Sequence, residues 1–114
     1  MPDPPETGAE LLRLLGLAAR AGAVVPGSER VKEAARAGNL RFAIVAADTS
    51  GYRRDRLVPL LRGLDIPHVV AFDRDRLGHA VGRAPLGAVG VTNEAFAGRL
   101  LQLAALERGA MEDV

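Results

Sequence analysis

Six consecutive apolar residues, Phe42-Ala43-Ile44-Val45-Ala46-Ala47, constrain this chain more than any other stretch. The run is short, β-branched at its centre, and closed by the turn residues Asp48-Thr49-Ser50-Gly51. Those bounds favour a strand over a buried helix. A strand without a polar face cannot border water on either side. It must therefore lie centrally in a sheet that helices cover on both faces. A sheet open to solvent on one face is thereby excluded.

The remaining sequence supplies that cover. Thr7 and Glu10 are spaced as a capping box for a first helix. Leu11, Leu12, Leu14, Leu15, Ala18 and Ala19 give the helix a wide apolar face, and Gly22 ends it. Val24-Val25 is extended, Pro26-Gly27 turns, and a helix runs from Ser28 to Gly38. Ser28 reads as its N-cap, a role worth about 1 kcal/mol. Val31, Ala34 and Ala35 form a narrow apolar stripe, leaving Glu29, Arg30, Lys32, Glu33 and Arg36 on the other faces. Tyr52 to Leu64 is helical in pattern, with Leu57, Leu60, Leu61 and Leu64 on one side; Pro59 predicts a kink or a late start. His68 to Phe72 reads as a second buried strand, and Asp73 as the cap of a short helix ending in Leu77-Gly78-His79-Ala80-Val81-Gly82. Leu86 to Val91 is a third strand. Thr92 or Asn93 caps a last helix whose apolar positions are Phe96, Leu100, Leu101 and Leu103 to Leu106.

Alternating strands and helices predict an α/β protein, a three-layer α/β/α sandwich with a small, mostly parallel or mixed sheet. The 114 residues suffice for one domain, expected over 7–107 between a disordered tail at 1–6 and a frayed tail at 108–114. Without cysteine there are no disulfides or thiolate metal sites, and the chain fits a reducing, cytoplasmic compartment. The longest apolar run is far too short to span a membrane, and the acidic, proline-rich start is the reverse of a signal peptide.

Little here assembles a reaction. Ser28 and Ser50 are the only serines and neither lies in a nucleophile elbow. His68 and His79 are isolated, so no metal site forms. Neither Gly-x-x-x-x-Gly-Lys-Ser/Thr nor Gly-x-Gly-x-x-Gly occurs, so no nucleotide cofactor is implied. The distribution of charge is more informative. The net charge is +1, yet residues 11–62 hold ten basic groups against four acidic ones. All fifteen basic residues but Lys32 are arginine, the side chain suited to bidentate phosphate and guanine contacts. A GC-rich genome accounts for arginine over lysine; it does not account for the concentration in one half.

Several features combine in order and spacing: Leu15-Gly16-Leu17-Ala18-Ala19-Arg20-Ala21-Gly22; Gly27 with Gly38 eleven residues on; Ala46-Ala47-Asp48-Thr49-Ser50; Ile66-Pro67-His68-Val69; and Leu77 to Gly82. On these, residues 7–107 resemble the kink-turn-binding ribosomal protein family, which holds the archaeal box C/D core protein, and within it the bacterial YlxQ-like branch. The resemblance implies a non-enzymatic RNA-binding protein of the ribosome or translation machinery, with structured, kink-turn-like RNA (ribosomal RNA included) as partner. Ribosome-associated translation or transcription factors are further partners on this view, and no cofactor, metal or membrane is involved. It also implies that RNA docks on one edge, where the Gly27 helix start brings Gly27, Ser28, Glu29, Arg30, Lys32 and Glu33, and the following turn brings Arg83, Ala84, Pro85 and Leu86. A helix N-terminus can meet phosphates there while an apolar turn packs on an unstacked base.

The sequence departs from the family pattern at this helix. Kink-turn readers carry Gly-x-Asn-Glu-x-x-Lys, where this chain has Glu29, Arg30 and Glu33. Arg30 and Glu33 reverse the family's pair three apart, keeping a helix-stabilising ion pair of about 0.3 kcal/mol. Glu33 nevertheless repels phosphate where a lysine attracts it. The alternative reading is a protein–protein adaptor of the same fold that has lost kink-turn affinity.

Overall fold

The computed structural model describes residues 4–112, with side chains described for 8–51 and 55–105. In chain order the elements are α1 (Pro4–Arg20), β1 (Val24–Pro26), α2 (Ser28–Arg36), β2 (Phe42–Val45), α3 (Gly51–Gly63), β3 (His68–Val70), α4 (Arg74–Ala80), β4 (Ala88–Val91) and α5 (Glu94–Glu112). The strands form one sheet in the order β1-β4-β2-β3. Only β2 and β3 pair in parallel; β4 runs antiparallel to both β1 and β2. β1 and β2 therefore point the same way with a gap between them, and α2 crosses over that gap. The last strand fills it. The mixed sheet follows from this insertion.

The apolar run has the predicted place. Every residue of β2 is buried, and its side chains alternate between two cores. Phe42 and Ile44 join Leu11, Leu15, Leu77, Val89, Val91 and Leu100 beneath α1, α4 and α5. Ala43 and Val45 join Val31, Ala35, Leu57, Leu61 and Ala88 beneath α2 and α3. The three-layer sandwich is thus present, with helices on both faces of a mixed sheet.

Several expectations are corrected. His68 to Phe72 is not a buried strand: β3 is a three-residue edge, and Val70 is 45% exposed. Val69 is buried, Ala71 and Phe72 pack against the same core while partly exposed, and the chain turns at Phe72, which adopts φ 64°. α3 runs from Gly51 to Gly63 with Pro59 inside it at an exposed position, so the helix does not start late at the proline. Leu64 and Leu101 are 46% and 37% exposed, because α3 ends at Gly63 and Leu101 points away from the sheet. α1 begins at Pro4 rather than after a cap at Thr7, in keeping with proline's fit to a first helical turn. Residues 4–6 are accordingly helical where a tail was expected, and α5 continues to Glu112 past the expected end near 107. Residues 1–3 and 113–114 of the expected tails lie outside the described residues. Asp73 and Asn93 cap their helices as expected, accepting from Arg76 N (2.7 Å) and Phe96 N (3.0 Å).

Candidate functional site

The charged helix start and the turn before β4 meet at one end of the sheet. Gly27 takes φ 102° and ψ 144°, a conformation that a side chain resists, and its N–H donates to Ala88 O at 2.8 Å. This bond extends the β1–β4 ladder by one residue before the chain becomes helical. The first bond inside α2 runs from Val31 N to Gly27 O (2.9 Å), so the amides of Ser28, Glu29 and Arg30 open the helix without a backbone acceptor among the described residues.

Gly27, not Ser28, is the cap of α2, and no side chain caps it. Ser28 is the first helical residue, and its hydroxyl turns inward. Its Oγ is buried with no hydrogen-bond partner among the described residues. A Cβ placed on Gly87 would lie 2.7 Å from that oxygen and 3.2 Å from Thr49 Oγ1. Glycine at 87 is thus what lets the lead-in to β4 pass directly against the start of α2.

The turn itself is folded back along α4. Arg83 N donates to Gly78 O at 2.7 Å and Leu86 N to Arg74 O at 3.1 Å. A Cβ on Gly78 would overlap the Ala84 carbonyl, so a larger residue there would push the turn off the helix. Thr49, buried at 5% exposure, donates from Oγ1 to Gly87 O at 2.8 Å, and Ala46 N donates to the same carbonyl at 2.9 Å. Asp48 accepts from Arg74 N at 2.9 Å and lies 3.7 Å from its guanidinium. Four segments therefore converge: the start of α2, the loop after β2, the start of α4 and the lead-in to β4.

The site residues predicted from sequence divide by exposure. Glu29, Arg30, Glu33, Arg83, Ala84 and Pro85 face solvent, while Gly27, Ser28 and Leu86 are partly buried and Leu86 packs against the core. The expected Arg30–Glu33 pair is not formed; Glu29 instead pairs with Lys32 at 3.3 Å. The Lys32 side chain is only 18% exposed, so it is drawn along the helix toward Glu29 rather than outward. Arg30 and Arg83 have no ion-pair partner among the described residues. Thr49, Gly78, Gly87 and the Asp48–Arg74 link were not predicted as site residues. Thr49 lies in a run that reads simply as a turn, and its acceptor is 38 residues away. His68 Nδ1 is 2.8 Å from Ile66 O, a local strand-entry contact. Among the described residues no group of three or more His, Cys, Asp and Glu could hold a metal, and no helix is long and apolar enough to cross a membrane.

An α/β/α sandwich with an open, solvent-facing junction at one end of its sheet is the class of protein that this fold and site define. Residues 9–100 match the ribosomal protein L7Ae/L30e/S12e/Gadd45 family, and the chain belongs to it. It is 29% identical over 97 residues to the RNA-binding protein YlxQ of Bacillus subtilis (strain 168), covering 85% of this chain and 97% of that protein. A solved structure of a Bacillus halodurans C protein of unknown function superposes with TM-score 0.80 at 33% identity, covering 83% of this chain and 96% of the other. The Giardia lamblia 15.5kD RNA binding protein shares the fold at TM-score 0.77 and 20% identity, covering 91% and 89% of the two chains.

Proposed function

We propose that this protein is a non-enzymatic RNA-binding protein of the ribosome or translation machinery. Structured, kink-turn-like RNA docks on the junction of the α2 start with the Arg83 to Leu86 turn. The observation that carries the reading is the junction itself: three open helix amides beside a turn, with Arg30 and Arg83 exposed and without an ion-pair partner among the described residues. Family membership and the name of the B. subtilis relative support the choice of RNA as ligand. Phosphate meets the amide end of α2 and its positive dipole, while the exposed Ala84-Pro85 surface packs on a splayed base. Arg30 donates to a guanine or to phosphate, and Glu29 is restrained by Lys32.

The test is titration with a standard kink-turn RNA at two salt concentrations. Arg30→Ala weakens binding by about 1–3 kcal/mol, and Arg83→Ala lowers the salt slope by about one. Unchanged affinity and slope in both variants would move the site elsewhere.

A further inference from the structure

At Gly16, α1 and α4 cross with no side chain between them. A Cβ on Gly16 would come within 2.8 Å of Ala80 O, so the helices touch through backbone. Above that contact a groove of about 870 Å³ remains open, on the face of α4 turned away from the Arg83 to Leu86 turn. Gly16 and Ala80 make its floor, and Leu17, at 48% exposure the most exposed large apolar side chain among the described residues, forms its wall.

The rim is positive. Arg13, Arg20 and Arg76 face the groove against one carboxylate, Asp75, with His79 between the two helices. The pairs made by these arginines are loose: Arg13 with Glu10 at 4.0 Å and Arg76 with Asp73 at 3.9 Å, all four side chains about half exposed or more. Arg20 has no ion-pair partner among the described residues. Such exposed pairs exchange readily for a better-placed carboxylate.

We propose that this groove receives an acidic amphipathic helix of a partner protein. Carboxylates seven residues apart on that helix meet Arg13 and Arg20, themselves seven apart along about 10 Å of α1. The apolar residues between them lie on Leu17 and the glycine floor. A nucleic acid fits less well, since the groove offers a single ring, the His79 imidazole, where strand binding stacks successive bases on several. A second copy fits less well too. Among the described residues no helix of this chain carries two carboxylates seven apart. RNA binding at the Gly27 junction is not required, because the two surfaces use different faces of α4.

The test uses the full chain, 15N-labelled, and a lactam-bridged helical peptide with Glu at i and i+7 and Leu at i+3 and i+4. Amide shifts centred on residues 13–20 and 76–80 are expected, with Arg20→Glu weakening binding about tenfold. The same peptide with Lys for Glu fails on the wild type and binds the Arg13→Glu, Arg20→Glu variant. Both substitutions are at exposed positions, so the variant folds. Four results would overturn the proposal: no shifts at millimolar peptide; equal binding of both peptides; a single-stranded oligouridine that perturbs the same amides more tightly; or groove amides that shift on dilution of the chain alone, which would assign the groove to a second copy.

Discussion

The two halves of the junction are anchored by different means. The start of α2 is tied into the sheet: Gly27 N bonds Ala88 O, and Val31 behind it is fully buried. The Arg83 to Leu86 turn belongs to no element, and three of its four residues are exposed. It holds its course because two glycines, Gly78 and Gly87, let backbone approach backbone and the Ser28 hydroxyl without a Cβ between them. One half is positioned by secondary structure, the other by the absence of side chains. The first tolerates surface change; the second fails when a single methyl is added.

The largest expected effect breaks the weaker half. Gly78→Ala places a methyl against the Ala84 carbonyl and costs about 2–3 kcal/mol of stability, read by urea unfolding, with RNA affinity falling in the folded fraction. Unaltered stability would mean that the turn is not seated on α4.

Next comes the charge pattern of the stronger half. Glu29→Asn, Arg30→Glu, Glu33→Lys together restore the family pattern and are expected to tighten binding to a standard kink-turn at least about tenfold, or 1.4 kcal/mol. All three positions are exposed and off the Val31–Ala35 stripe, so the helix survives. The Asn also frees Lys32 from Glu29, adding a cation at the same helix face. Wild type binding as tightly as this variant would make the reversed charges a working code of their own.

The smallest effect separates two accounts of Ser28 by sign. An N-cap serine replaced by alanine loses about 1 kcal/mol. A buried hydroxyl without a partner is instead a cost, so Ser28→Ala is expected to gain about 0.5–1 kcal/mol in thermal unfolding. A loss would restore serine as the cap.

The same contrast explains what could be read from the chain. β2, the cap at Asp73 and the Val31–Ala35 stripe were legible because periodicity and local hydrogen bonding decide them. β3 was misjudged because an edge strand and a buried one share an apolar composition over three residues. Pro59 did not delay the start of α3, because a helix can carry a proline at an exposed position without ending there. At the junction, Gly27 announced a turn, but Gly87 and Thr49 did not announce each other. Their contact depends on β4 entering the sheet between β1 and β2, a choice of slot that no local pattern encodes. Ser28 followed the same logic: its type suits a cap, and the tertiary approach of Gly87 turned it inward.

The most direct measurement is amide chemical-shift mapping of the 15N-labelled chain titrated with a standard kink-turn RNA at low and moderate salt. Perturbations are expected at residues 27–30 and 83–87 together, weakening as salt rises, with α3 silent. Shifts confined to the α1–α4 groove or to α3, with both halves of the junction unmoved, would contradict the account.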